Sequence, residues 1–162
     1  MEKILERPAK RVWVKTTIGE KNRPQDSTYI PDYLNAAVES PFSLVTSAHN
    51  GLSAEMINFV SAEMAMSQDE LAELLNITPK TLRKYLNEDN SLDVSASELI
   101  LKLHAMHKIG MDVFGDIKAF RQWLSQPAYG FDRKIPMVLL KSSEGINLVT
   151  DELHRIAFGD LS

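Results

Sequence analysis

Residues 67–90 read SQDELAELLNITPKTLRKYLNEDN, and the way this stretch starts, stops and restarts decides the fold. Ser67 followed by Glu70 has the spacing of a capping box, and Asp69 adds negative charge to a first helical turn, where the macrodipole favours it. Leu71, Leu74 and Leu75 recur at helical intervals, and the pattern ends at Asn76-Ile77. Thr78 suits an N-cap with Pro79 at the first helical position, where a missing N–H costs nothing. The second helix turns Leu82, Tyr85 and Leu86 inward and Lys80, Thr81, Arg83 and Lys84 outward. The first segment carries three acids and no base, whereas Lys80–Asn87 carries three bases and no acid. Two short helices joined by a turn of about three or four residues, with the small Ala72 allowing close approach, have the pattern of a helix-turn-helix.

The second helix of such a motif enters the major groove by its N-terminal half, where polar side chains meet base edges and phosphates. Thr78, Lys80, Thr81, Arg83 and Lys84 are therefore candidate DNA-binding residues. The plainer account of the same residues is a helical hairpin with a solvated basic face. Net charge favours a local reader over a protein that coats nucleic acid. The 162-residue chain is acidic overall at −4, with residues 1–25 at +4, residues 26–79 at −8 and residues 80–162 neutral. Non-specific coating depends on broad phosphate neutralisation, but one basic face can work on an acidic body.

Upstream, Ser53 suits an N-cap for a helix that places Met56, Ile57, Val60 and Met64 on one face. Methionines at helical spacing fill cores far more readily than they bind metals. Phe42, Leu44 and Val45 lead into Gly51-Leu52-Ser53, and Asp32–Val38 is expected as a short helix ahead of Ser40-Pro41. Residues 1–31 are expected to be a loosely structured basic leader, with Arg11–Ile18 (RVWVKTTI) one strand at most and a Gly- and Pro-punctuated loop after it.

Downstream, the polar Asn87–Asp93 marks a boundary, and Ser95 with Glu98 repeats the capping-box spacing. Leu99, Leu103, Met106, Val113, Ile117, Phe120 and Leu124 form an apolar stripe with Gly110 at the missing step. Gly115-Asp116 interrupts it, and Asp116 suits the cap of a shorter helix through Trp123. Pro136 can open a further helix with Gly145 as its C-cap, and a last helix spans about Ile146–Phe158, burying Val149, Leu153 and Ile156.

Leu92–Asp116, Phe120–Pro127 and Pro136–Gly159 follow one layout: a long helix ending in "vFGd", a "WL..P" element, a "P..LL....G" turn and a final "V...L.RI..G" helix. In this order and spacing the chain resembles the Xre/MbcA/ParS antitoxins over about residues 42–160, including the Xre-like helix-turn-helix. It departs from many relatives at Tyr129-Gly130-Phe131-Asp132, where they carry a glycine-rich turn. The resemblance implies a leader and linker over 1–40, a helix-turn-helix domain over 41–92 and a toxin-binding domain over 93–162. It implies a type II antitoxin made beside a RES-domain toxin that uses NAD⁺, inhibiting by occlusion and repressing the shared operon. It also implies a DNA-backbone contact for Gln68 at the start of the first helix. Candidate toxin-binding residues are Trp123, Pro127, Tyr129 and Phe131, with Arg133 and Lys134 as rim and the tail residues Phe158, Asp160 and Leu161 as a second set. Trp123 fits a core position as well, and Tyr129 and Phe131 fit either.

No catalytic constellation stands out. His104 and His107 lie three apart, but His49 and His154 are remote, and two solvent-facing histidines describe the pair better than a metal site. Asp151-Glu152 beside His154 is accounted for by acids in the first half of a helix. There is no GxGxxG, Walker or G-x-S-x-G element. Zero cysteines exclude disulfides and thiol catalysis and suit a reducing compartment. No apolar run approaches the roughly 18 residues of a membrane span, and the charged Met1–Arg11 is unlike a secretory signal. The expectation is therefore an all-α, cytoplasmic, non-enzymatic antitoxin without cofactor or metal. It is expected to act as a homodimer on operator DNA, because paired half-sites raise specificity. The rivals are a plain helix-turn-helix regulator whose C-terminal half dimerises or senses a ligand, and a structural adaptor.

Overall fold

The computed structural model describes residues 29–88 and 91–159. Residues 1–28 of the expected leader, including the strand expected over Arg11–Ile18, and the tail residues Asp160 and Leu161 lie outside the described residues, while residues 29–31, expected to end the leader's loop, belong to the first helix. Within them the chain is all helix: α1 Tyr29–Ala37, α2 Pro41–Asn50, α3 Glu55–Glu63, α4 Gln68–Leu74, α5 Pro79–Glu88, α6 Val94–Phe114, α7 Ile117–Leu124, α8 Pro136–Leu139 and α9 Ser143–Ala157. A single 3-10 turn, Tyr129–Phe131, lies between α7 and α8. None of these helices is long and apolar enough to cross a membrane.

Local chemistry accounts for most of the helix starts, some of them at positions other than those expected. Ser40 accepts from the Ser43 amide at 3.1 Å with Pro41 in the first turn, so the stretch expected as a lead-in to Gly51 is a ten-residue helix. α1 starts three residues before the expected Asp32. α3 has Ala54 at its N-cap with no side-chain bond, so Ser53 contributes only a carbonyl, which accepts from Met56 N at 3.1 Å. α6 is capped by Asp93, which accepts from Ala96 N at 2.8 Å, so the Ser95–Glu98 spacing is not its cap. At the other end of α6, Gly115 is left-handed, and Asp116 caps α7 through Ala119 N, as expected.

The 21-residue α6 is the axis of the molecule. α1, α2, α3, α7 and α9 all pack against it, and α2 and α9 flank one cleft floored by Lys102 and Ala105 of α6. Leu34, Ile57, Val60, Leu71 and Leu82 from the N-terminal helices and Leu52 from the α2–α3 turn join Ile100, Leu103, Met106, Phe120, Val149 and Leu153 in one continuous core. Each such side chain withdrawn from water contributes roughly 1.5–3 kcal/mol. Leu92 N bonds Leu52 O at 2.8 Å and Leu52 N bonds the buried Ser97 hydroxyl at 3.0 Å, which ties the start of α6 to the α2–α3 turn.

Two histidines expected to face solvent are inside this core. His104 is 2% exposed and His107 9%. They lie on the faces of α6 turned toward α3 and α7, where His104 Nδ1 meets Glu63 Oε2 at 2.7 Å and His107 stands against the Phe120 ring. A helix packed against five others has little free face, so these polar residues are buried too; His104 pairs with Glu63, whereas His107 Nδ1 is buried without a hydrogen-bond partner among the described residues.

Candidate functional sites

The helix-turn-helix is assembled from the bonds its sequence encodes. Glu70 N bonds Ser67 Oγ at 3.2 Å and Ser67 N bonds Glu70 Oε2 at 2.7 Å, closing the capping box of α4. The Glu70 carboxyl is held below the usual range by the Ser67 amide first and by the Arg121 guanidinium second. The chain leaves α4 through Asn76 at φ 55°, a left-handed conformation Asn tolerates, and Ile77 N bonds back to Ala72 O at 3.0 Å. Thr78 Oγ1 then accepts from Thr81 N at 3.0 Å and opens α5 at Pro79.

Leu82 is fully buried with Tyr85 and Leu86 packed beside it, and α5 rests chiefly on α4. Thr78, Lys80, Arg83 and Lys84 are exposed together at the start and along the outer face of α5. Thr81 is half-buried, its hydroxyl 2.9 Å from that of Thr78, so it braces the turn as well as facing outward. Gln68 is exposed at the start of α4, its amide donating to Asn58 Oδ1 of α3 at 3.2 Å. The N-terminal turn of α5 and its three basic side chains are thus open to solvent, the residue types that meet phosphate and base edges.

The second surface lies on the turn after α7. Ala128 N bonds Lys134 O at 3.1 Å, closing a loop in which Asp132 and Arg133 are both left-handed, at φ 49° and 64°. Two consecutive non-glycine residues in that region store strain, and such strain gathers at functional sites. Gly130 lets the turn close down on α9, because a Cβ here would lie 2.3 Å from the Glu152 carboxylate and that side chain would have to swing away. The result is Tyr129 standing 88% exposed with the Arg133 guanidinium 5.7 Å from its ring centre.

Pro127, Arg133 and Lys134 are exposed, and Phe131 is half-buried against the core. Trp123 is half-buried too, ring to ring with Phe120 at 6.3 Å and Phe114 at 5.6 Å, and forms the wall of the core. Phe158 is 85% exposed and stacks on His154. Val138 and Leu148 are exposed on α8 and α9, and a cleft between the turn and α9 is lined by Phe131, Leu139, Leu148, Asp151 and Arg155. Sequence reasoning missed Val138 and Leu148, because apolar residues in helical stretches default to core.

Asp151 and Glu152 lie in the second half of α9, so a favourable helix N-terminus does not account for them. Glu152 pairs with Arg155 and sits under Gly130, a structural position. Among the described residues no group of three or more His, Asp or Glu is placed to hold a metal.

Two family models match the chain. Residues 43–103 match the antitoxin Xre-like helix-turn-helix domain, and residues 110–159 match the antitoxin Xre/MbcA/ParS C-terminal toxin-binding domain. The chain belongs to the Xre/MbcA/ParS antitoxin family. A curated relative, Antitoxin Xre of Pseudomonas putida, is 24% identical over 120 residues, covering 74% of each chain. In this antitoxin the helix-turn-helix match runs from α2 into the first half of α6, and the toxin-binding match starts at Gly110 on that same helix. The antitoxin therefore joins a DNA-binding part and a toxin-binding part, the composition of a type II antitoxin, through one shared helix.

Proposed function

We propose that this antitoxin inhibits a RES-domain, NAD⁺-consuming toxin by covering the entrance to its active site, and that through α5 it represses the operon the two genes share. Inhibition of this kind needs no chemistry from the antitoxin, since closing a pocket stops turnover. The observation that carries it is the separation of two unlike surfaces: a cationic α5, and a strained turn presenting Tyr129 and Arg133 and lining a cleft together with Leu148, with Val138 and Phe158 exposed elsewhere on the C-terminal helices. Tyr and Arg on a rigid mount, with apolar neighbours, are the residue types that dominate protein–protein affinity. On α5, Lys80, Arg83 and Lys84 supply phosphate contacts, and the short footprint of one recognition helix favours a homodimer on paired half-sites.

Co-expression with the polypeptide encoded beside it tests this directly. The neighbour alone is expected to arrest growth and deplete NAD⁺, while the pair grows normally and co-purifies. A harmless neighbour, or one this chain neither rescues nor binds, would leave only a helix-turn-helix regulator.

A further inference from the structure

Arg121 lies on α7, in the toxin-binding part, yet its guanidinium reaches back to the helix-turn-helix. Nη1 donates to Met64 O at 3.1 Å and Nη2 to Glu70 Oε1 at 2.9 Å. Met64 is the C-cap of α3, and the next residue, Ala65, is left-handed at φ 49°. Glu70 is the acid of the α4 capping box, so its two oxygens serve different masters: Oε2 takes the Ser67 amide and Oε1 takes Arg121. One side chain thus fixes both ends of the α3–α4 turn. Lys141, just past α8, adds a 2.6 Å ion pair to Glu73 on the exposed side of α4.

An isolated surface ion pair is worth little, and the Lys141–Glu73 pair, exposed at both ends, is of that kind. Arg121 differs, being only 26% exposed and holding two acceptors in its planar fork. Its effect reaches DNA by a short route. α5 rests chiefly on α4, so the angle at which Lys80, Arg83 and Lys84 meet a groove follows the seating of α4. Small displacements matter, because groups that must meet their targets to within about 0.5 Å lose affinity when their supporting shell loosens.

We propose that Arg121 is a positioning residue for DNA recognition, acting through Glu70 and Met64 without touching DNA. This rests on the assignment of α5 as the groove-reading helix. The experiment measures binding of full-length antitoxin to the duplex upstream of its own gene, over a salt series, for the native chain, Arg121→Ala, Arg121→Lys, Glu70→Gln, the Arg121→Ala/Glu70→Gln pair and Arg83→Ala/Lys84→Ala.

Arg121→Ala is expected to weaken binding about tenfold, the scale of losing a charge-assisted bond. The slope of log affinity against log salt should stay native, because no phosphate contact is lost. Arg121→Lys should recover part of the loss, and the Arg121/Glu70 double variant should be no weaker than the worse single one. Arg83→Ala/Lys84→Ala should both weaken binding and flatten the slope by about two units. A flattened slope in Arg121→Ala would make Arg121 a phosphate contact and overturn the proposal, as would additive losses in the double variant or native affinity in Arg121→Ala. If Arg121→Ala fails to fold, Glu70→Gln and Arg121→Lys decide by the same slopes. Native binding by Arg83→Ala/Lys84→Ala would instead refute the groove assignment itself.

Discussion

At Gly145 the first turn of α9 passes so close to the end of α8 that a Cβ would lie 1.9 Å from the Leu139 carbonyl oxygen. The sequence suggests a helix-ending glycine here, but Ser142 caps α9 and the Gly145 amide bonds Ser142 Oγ at 3.0 Å, so this residue sits in the first turn of α9. The two uses of glycine look alike in one dimension, because both follow an apolar helical run. Only the three-dimensional approach of α8 separates them. Gly145→Ala should destabilise by about 1–3 kcal/mol or more despite alanine's better helix propensity, since a backbone carbonyl cannot swing away as a side chain can. Urea unfolding midpoints check this; a native or higher midpoint would mean that the α8–α9 junction yields freely.

Among the helices, those that carry their own caps were readable: α4 through Ser67 and Glu70, α5 through Thr78-Pro79, and α7 through Asp116. α2 was missed although Ser40-Pro41 announces it, because its buried face is thin and Ala48 is its one fully buried residue. The burial of His104 and His107 was not readable at all, since it depends on which helices flank α6. That burial has a consequence in solution. Desolvation, ahead of the nearby His104, holds the His107 imidazole below its ordinary value of 6.5, while the Glu63 charge and carbonyl pull the other way. The unfolded chain takes up this proton at about pH 6.5, whereas the folded chain does so only at lower pH. The stability His107 contributes is therefore complete above about pH 6.5 and is lost as pH falls from there toward its folded value. Denaturant midpoints should drop between about pH 7 and 5.5, and His107→Gln should shrink that drop. An unchanged drop in the variant would remove His107 from the account.

For the whole molecule, the all-α class and the order of its parts were legible from pattern, and the family from the order of short motifs. The outward placement of Lys80, Arg83 and Lys84 was legible too, because charge segregation is a one-dimensional signal. A turn at Tyr129 was legible but its geometry was not, because its left-handed Asp132-Arg133 step and the Glu152 carboxylate under Gly130 arise only when α9 folds back. The two parts also share more than a linker. Ile146, Val149 and Leu153 of α9 are buried in the same core as Leu71 and Leu82, and α9 packs on α6, so cutting away the C-terminal helices would open the core that the two parts share. Point variants on the exposed faces are therefore the sound probes of function.

The most direct test pairs two such variants of the full-length antitoxin, Arg83→Ala/Lys84→Ala and Tyr129→Ala/Phe158→Ala, and measures the affinity of each for upstream duplex DNA and for the co-encoded toxin. The first should lose about tenfold or more in DNA affinity and keep its hold on the toxin, while the second should lose about thirtyfold or more on the toxin and keep DNA. Native toxin affinity in Tyr129→Ala/Phe158→Ala, or one variant losing both partners while still folded, would contradict the separation of surfaces.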